Sequence, residues 1–217
     1  MYTQRREFLK LIGGAGLGAL LPGLSAGSTD NLAQVRSAAK DLMGQGLSTV
    51  LAVQNGRALQ FDAAVKYPTQ AGIVDPSRGH SFYFHSHRKQ EYGHFHTFAR
   101  DAYGLSVHLL MISVDSEGRP TALSTVNQWV TDDRHMRAQE LMALHRSFAV
   151  EPASFTHPAL IQMINALMTA YQPTARSLFE ERDAWVDRYR RDKGKMPYQD
   201  RTTEVISTRA INPLGPG

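Results

Sequence analysis

The spacing of hydrophobic positions predicts helices at both ends of the chain. Across residues 28–43, apolar side chains recur every three or four positions, and small polar residues that favour helix N-caps precede them. This pattern predicts one amphipathic N-terminal helix. Beyond residue 131 the same spacing returns in three segments. Their candidate first residues are Asp132, Thr156 and Thr174.

The middle of the chain has a different pattern, which is typical of β-strands. From Ser48 onward, short runs rich in β-branched and aromatic residues alternate with turn-forming stretches. A short polar connection between two of these runs predicts a hairpin. The predicted strands cover residues 81–87, 94–99, 107–114 and 121–130, with a last strand over 202–211.

These elements predict the α+β class. We expect an antiparallel sheet of about five strands in the middle of the chain, packed on one face by the N-terminal helix and two or three C-terminal helices. Residues 107–114 are apolar at nearly every position, which predicts a central strand. His108 lies in this run, so we expect it to be a buried residue with a hydrogen-bond partner. The pattern assigns no role to Glu204 in the last strand.

The chain begins with an order typical of a twin-arginine export leader. The segment 4–10 contains two adjacent arginines, an acidic spacer, Phe-Leu and a lysine, and a short apolar run over 11–21 follows. That run is about half of the roughly 20 residues that would span a bilayer, and a proline ends it. We therefore expect a signal peptide over residues 1–26, with cleavage near Ala26 and no stable membrane insertion afterwards.

The leader implies a partner and a location. The twin-arginine export machinery would recognise residues 1–26 and carry the protein in its folded form, so we expect a periplasmic or secreted protein. Beyond the leader, we expect a single globular α+β domain over residues 28–212. A loose tail over residues 213–217 would follow it.

Composition narrows the function classes. The leader holds three of the 24 basic residues and one of the 20 acidic residues, so the remainder has a net charge of +2. This near-neutral balance predicts no nucleic-acid partner. The chain has no cysteine, which excludes disulfides, thiolate zinc sites, iron–sulfur clusters and a cysteine nucleophile. Any metal would therefore be bound by nitrogen and oxygen atoms.

Four of the nine histidines lie within twelve residues, at His85, His87, His94 and His96. Alternate side chains of a strand share a face, so each His-x-His pair projects from one side. A hairpin with His87 opposite His94 and His85 opposite His96 would gather four imidazoles, with opposed Cβ atoms roughly 5 Å apart. A register slip of one residue would place the two pairs on opposite faces.

This patch predicts a metal site. Neutral imidazole binds several divalent transition metals, so Fe, Cu, Zn and Mn are all candidate ions. Glu91, in the connection, could be an oxygen ligand, a carboxylate that orients a histidine, or a catalytic general base. The alternative is an aromatic packing surface, because Tyr83, Phe84 and Phe95 interleave with the histidines.

The same residues resemble an uncharacterised bacterial family known only as a domain of unknown function. Its hallmark is an aromatic His-x-His strand followed by a Glu-x-Gly-His-x-His core, which residues 83–87 and 91–96 match. The resemblance continues through Asn127-Gln128-Trp129 and covers most of the chain beyond the leader. It implies one domain and no particular reaction.

A second resemblance is to the first motif of the cupins. Gly79, the first His-x-His pair and Glu91 match its spacing, but Phe98 stands where that motif closes with glycine. The second cupin motif is not visible, and the helical C-terminal third is unlike a small jelly roll. A cupin site would have the first pair and Glu91 as its ligands and the second pair outside them.

The sequence therefore predicts an exported metal-binding protein with a mononuclear, histidine-rich site on a β-hairpin. Such a site could serve a metal-dependent oxidoreductase or hydrolase that acts on a small molecule. Two alternatives stay open: a non-catalytic periplasmic metal carrier or sensor, and a domain that binds a small ligand without metal. An enclosed pocket with an open coordination position would favour an enzyme, whereas an exposed patch would favour a carrier.

Overall fold

The computed structural model describes residues 26–215. Residues 1–25 of the predicted leader therefore lie outside the described residues. Ala26, the last residue of that prediction, begins the first helix. Residues 216 and 217 of the predicted tail lie outside them too. Within the described part of the chain, no helix combines the length and the apolar character that crossing a membrane requires.

Helices lie at both ends of the described chain and strands lie mainly between them. The helices are α1 (Ala26–Gly44), α2 (Thr49–Gln54), α3 (Gln128–Thr131), α4 (Ala138–Arg146), α5 (Pro158–Ala170) and α6 (Gln172–Lys193). The strands are β1 (Asp62–Tyr67), β2 (Ile73–Asp75), β3 (His80–Ser86), β4 (Gly93–Arg100), β5 (Ser106–Val114), β6 (Pro120–Val126) and β7 (Val205–Ala210).

The strands form one antiparallel sheet in the order β1-β3-β4-β5-β6-β7, and β2 also pairs with β3. The predicted α+β class is thus confirmed. The sheet has seven strands instead of about five, because β1 and β2 both pair with β3. Most of β1 is exposed or half-buried. Because β1 has no face buried along its length, its sequence does not need the apolar alternation that marks a strand. One sheet of this kind also differs from the double-sheet jelly roll that the cupin resemblance implies.

One face of the sheet forms the hydrophobic core with the helices. Phe84, Phe95, Ile112 and Leu123 are aligned across four neighbouring strands by the register and are at most 1% exposed. Apolar residues of α1, α5 and α6 belong to the same buried cluster. Side chains alternate along each strand, so the residues between these core positions project from the opposite face. His85, His94 and His96 belong to that opposite face.

The segment that follows Ser48 is a helix, although its β-branched residues favoured a strand. The Ser48 hydroxyl accepts a hydrogen bond from the Leu51 N–H, which caps α2. Asn55 closes the helix in the left-handed region, at φ 49°. Burial of Val50 and Val53 against the core outweighs the weak local preference for a strand.

The predicted strand over 121–130 is also wrong in its second half. It ends at Val126, because the Asn127 side chain accepts a hydrogen bond from the Gln128 N–H and begins the short helix α3. Asp132 ends α3 in the left-handed region, so the next helix, α4, starts later than predicted, at Ala138. The starts of α5 and α6 lie within two residues of the predicted ones.

Candidate metal centre

The two His-x-His pairs meet at the adjacent ends of β3 and β4. His85 pairs directly with His94, and His96 pairs with Tyr83. The predicted pairing of His85 with His96 is therefore wrong by two residues. Because side chains alternate with a period of two, a shift of two residues leaves all of these side chains on one face. The prediction that these histidines share a face therefore holds although the predicted register was wrong.

Four imidazole rings form a compact cluster on this face. The ring centroid of His85 lies 4.3 Å from that of His94, 4.6 Å from that of His87 and 5.0 Å from that of His96. One ring nitrogen from each of His85, His87 and His94 lies within 4.8 Å of the other two, a spacing that could hold a metal ion. We call these three residues the histidine trio.

A backbone carbonyl determines the tautomer of His85. Nδ1 of His85 lies 3.1 Å from the Ala63 carbonyl oxygen, which can only accept a hydrogen bond. Nδ1 therefore carries the proton, and Nε2 of the neutral ring keeps its lone pair. Burial lowers the pKa of His85 to about 3, so the ring is neutral at physiological pH, as a metal ligand must be.

Glu91 determines the tautomer of His94 in the same way. Its Oε1 lies 2.5 Å from Nδ1 of His94. Burial favours a higher pKa for Glu91, but hydrogen bonds from His94 and Ser113 and the charge of Arg88 keep the pKa below its ordinary value. The ionised carboxylate therefore accepts a hydrogen bond from Nδ1–H of His94 and leaves Nε2 as the ligand atom. Of the three predicted roles of Glu91, this contact supports the orienting one.

Two nitrogens of the trio are buried without any partner. Nε2 of His87 and Nε2 of His94 are shielded from solvent and make no hydrogen bond. An unpaired polar atom in a protein interior costs about 1–3 kcal/mol. Both atoms belong to rings that the spacing groups with His85. Coordination of a metal ion would satisfy them, so the residues present fit such an ion.

His96 lies next to the trio and contacts two other imidazoles. Its Nε2 is 3.1 Å from Nε2 of His85, and its Nδ1 is 2.9 Å from Nε2 of His108. Burial and the neighbouring imidazoles hold the pKa of His96 well below its ordinary value. A separation of 3.1 Å suits a hydrogen bond and also suits two nitrogens on one ion. The role of His96 as a metal ligand stays a prediction.

A β-bulge brings His108 to the cluster. His96 pairs with Met111 and Phe98 pairs with His108, which leaves one extra residue on β5 between the two pairs. In a regular strand, residues three apart face opposite sides, but the extra residue turns His108 to the same side as Met111. Its predicted burial is confirmed. Its contact with His96 could not be read from a period of two.

Gly93 is required by the close approach of β3. A Cβ atom at this position would lie 2.2 Å from Cζ of Phe84 and 2.9 Å from the carbonyl oxygen of His85. Only glycine lets β4 begin this near to the buried Phe84 ring. Close packing thus explains the glycine of the Glu-x-Gly-His-x-His motif. The close approach of the two strands also places His94 directly beside His85.

Arg88 lies between two carboxylates at the edge of the cluster. Its Nη1 is 3.6 Å from Oε1 of Glu91, and its Nε is 3.6 Å from Oε1 of Glu204. Nη1 also lies 3.5 Å from the sulfur of Met111. Glu204 precedes β7, so residues distant in the sequence meet here. No local pattern could have predicted this contact, because it depends on the placement of the last strand.

Two cavities of the described chain lie away from the trio. One is an open groove of about 730 Å³ whose lining includes Arg57, Thr69 and Phe155. The other has a volume of about 20 Å³ and lies against His108 and Arg182. A cavity of that size holds about one water molecule. Neither has a member of the trio in its lining, so neither is a pocket at the centre itself.

Comparison with known proteins finds a family but no activity. A family model described as "Domain of unknown function (DUF6969)" matches residues 29–211. This match agrees with the resemblance to an uncharacterised family. No curated protein and no solved structure matches the chain.

Proposed function

The chain belongs to the DUF6969 family of domains of unknown function, and we propose that it is a metal-binding protein that holds one divalent transition-metal ion through the histidine trio. The main support for this function is that two buried Nε2 atoms, on His87 and His94, have no hydrogen-bond partner. Iron, copper, zinc and manganese are the candidate ions, because imidazole and carboxylate ligands suit all four. His96 is the candidate fourth nitrogen ligand.

The residues around the trio would prepare it for binding. The Ala63 carbonyl and the Glu91 carboxylate each accept a hydrogen bond from Nδ1–H of one ligand ring. They fix both the tautomer and the orientation of that ring before any ion arrives. Less rotational freedom is then lost on binding, which raises the affinity.

A catalytic role is the second candidate. If the trio alone binds the ion and His96 does not, three protein ligands leave a coordination position open, as in catalytic zinc sites. His87 is the half-buried member of the trio, whereas His85 and His94 are buried, so a small molecule would approach from the His87 side. An ion at this position would supply Lewis-acid or redox chemistry to an oxidoreductase or hydrolase. A carrier or sensor would instead exchange the ion through the same opening.

We also propose that the protein works in the periplasm or outside the cell. The paired arginines, the Phe-Leu pair and the following apolar run support this location. The twin-arginine route carries folded proteins, so an ion could be inserted in the cytoplasm before export. The proposed metal centre and the proposed leader would then belong to one pathway of assembly.

Elemental analysis of the purified, folded protein tests the metal function. Wild-type protein is expected to keep about one transition-metal ion per chain after dialysis against a weak chelator, and the His87→Ala variant is expected to lose it. His157→Ala is the matched control, because it removes a half-buried histidine outside the cluster. If wild-type protein binds none of the four ions after reconstitution, the proposed metal function is wrong.

A further inference from the structure

A small polar cavity lies where β5, β6, α3 and α6 meet. It is the cavity of about 20 Å³ beside His108 and Arg182, and its lining also includes Gln128 and Asp133. His108 connects it to the histidine cluster, because Nε2 of His108 lies 2.9 Å from Nδ1 of His96. The lining contains no member of the trio, so the cavity is separate from the proposed metal centre.

Arg182 brings a buried donor to this cavity. The residue is 7% exposed, and its Nε is shielded from solvent and has no hydrogen-bond partner among the described residues. Nη2 of the same guanidinium is satisfied, since it donates to the Met136 carbonyl oxygen and to the Asp183 carboxylate. Arginine stays charged in proteins, and a charged donor that is buried without an acceptor costs more than a neutral one. Nε–H of Arg182 therefore requires an acceptor.

Gln128 brings a buried acceptor to the same cavity. Its Oε1 is shielded from solvent and has no donor in the described part of the chain. The side chains on either side of it in the Asn-Gln-Trp segment are satisfied. Nδ2 of Asn127 donates to the Pro197 carbonyl oxygen, and Nε1 of Trp129 donates to the Thr203 carbonyl oxygen, both at 2.9 Å. In this segment the unsatisfied side-chain atom is thus the oxygen that faces Arg182 in the cavity lining.

The size and the polarity of the cavity select its ligand. A volume of about 20 Å³ accommodates one water-sized molecule and excludes larger ligands such as phosphate. A donor and an acceptor that both lack partners require a ligand that accepts one hydrogen bond and donates another, as water does. A halide ion can only accept, and it would lie against Oε1 of Gln128 and the Asp133 carboxylate, which are acceptors themselves.

We propose that this cavity is a specific binding site for one water molecule, which accepts a hydrogen bond from Nε–H of Arg182 and donates one to Oε1 of Gln128. The water satisfies both buried atoms and joins α3 to α6. A buried water makes about three hydrogen bonds, and the Asp133 carboxylate in the same lining can accept the third. The site goes beyond the proposed metal function and is independent of it, because no ion takes part.

A high-resolution crystal structure of the protein tests the inference. One solvent peak is expected at about 2.7–3.2 Å from both Nε of Arg182 and Oε1 of Gln128. Gln128→Leu removes the acceptor and is expected to lose the peak. Gln139→Leu is the matched control, because it replaces an exposed glutamine of α4 and is expected to keep the peak. Crystals soaked in sodium bromide are expected to show no anomalous peak in the cavity.

The result separates a bridging water from other occupants. A peak in wild type and in Gln139→Leu, and none in Gln128→Leu, supports the inference. A wild-type cavity with no peak, a peak in contact with one of the two atoms only, a peak that persists in Gln128→Leu, or bound bromide overturns it. If Gln128→Leu fails to fold, the wild-type and bromide maps decide. If no crystals form, nuclear magnetic resonance decides: Nε–H of Arg182 is expected to show a cross-peak to a slowly exchanging water, and absence of that cross-peak overturns the inference.

Discussion

His85 and His94 face each other across β3 and β4, with ring centroids 4.3 Å apart and ring planes at 83°. Each ring uses Nδ1 for a protein oxygen, the Ala63 carbonyl in one case and the Glu91 carboxylate in the other. The tautomers of both rings are therefore determined without a bound ion. This pair is the rigid part of the centre, and the half-buried His87 completes the trio from the end of β3.

Loss of the Glu91 carboxylate is expected to weaken metal binding without removing a ligand. Glu91→Ala frees Nδ1 of His94 and its ring orientation, so the affinity should fall about 10- to 100-fold. Glu91→Gln should recover part of the loss, because its amide oxygen can still accept a hydrogen bond from Nδ1–H. Competition with a chelator of known affinity measures the effect. Wild-type affinity in Glu91→Ala would show that the carboxylate does not orient the ring.

Removal of His108 is expected to destabilise the fold through His96. His108→Leu leaves Nδ1 of the buried His96 without its partner, which should lower the free energy of unfolding by about 1–3 kcal/mol. Denaturant unfolding of both single variants and of the double variant His96→Leu/His108→Leu measures the coupling. A double variant whose loss equals the sum of the single losses would contradict the hydrogen bond between the two rings.

Alanine at position 93 is expected to be destabilising. The added Cβ would overlap the Phe84 ring and the His85 carbonyl oxygen, and overpacking of this kind costs about 1–3 kcal/mol. Gly44→Ala is the control, because a Cβ there meets no atom within 4 Å. Thermal unfolding compares the two variants. Equal melting temperatures for Gly93→Ala and wild type would mean that β4 does not approach Phe84 this closely.

The stability of the protein is expected to fall on the acid side through His145. This side chain is buried, its two ring nitrogens have no partner, and burial lowers its pKa from 6.5 to about 4. Between these values the unfolded state binds more protons than the folded state. Stability is therefore full above pH 6.5 and is lost as the pH falls toward 4, by up to roughly 3 kcal/mol.

Comparison with an apolar variant isolates this contribution. His145→Leu keeps a buried apolar side chain against Phe179 but has no proton to bind. Its free energy of unfolding, measured by denaturant titration from pH 7 to pH 4, should fall less steeply than that of wild type. His157→Gln serves as the control outside the core. Parallel curves for wild type and His145→Leu would rule out His145 as a source of acid sensitivity.

Replacement of the paired arginines is expected to block export. The double variant Arg5→Lys/Arg6→Lys keeps the positive charge but loses the side chains that mark the twin-arginine route. Cell fractionation should find the variant in the cytoplasm and the wild-type protein in the periplasm or medium. Equal periplasmic amounts of the two proteins would refute a twin-arginine leader, and the metal function would be unaffected by that result.

The fold class and the grouping of the histidines could be predicted from local order. A period near 3.6 predicts a helix and a period of two predicts a strand, because these are the repeats of side-chain direction in the two structures. The same period keeps His85 and His94 on one face under any even shift of register. This is why the expected cluster formed although the expected pairing of its strands was wrong by two residues.

The other contacts around the histidine cluster depend on long-range packing. The bulge in β5 turns His108 toward His96, and the placement of β7 carries Glu204 to Arg88. Neither contact has a local signal, since each depends on how distant segments pair. The sequence by itself thus determined the chemistry available, a cysteine-free set of imidazoles and carboxylates. Only the tertiary structure decided which three rings lie close enough to bind one ion, because interatomic distance across strands depends on register, bulges and strand order.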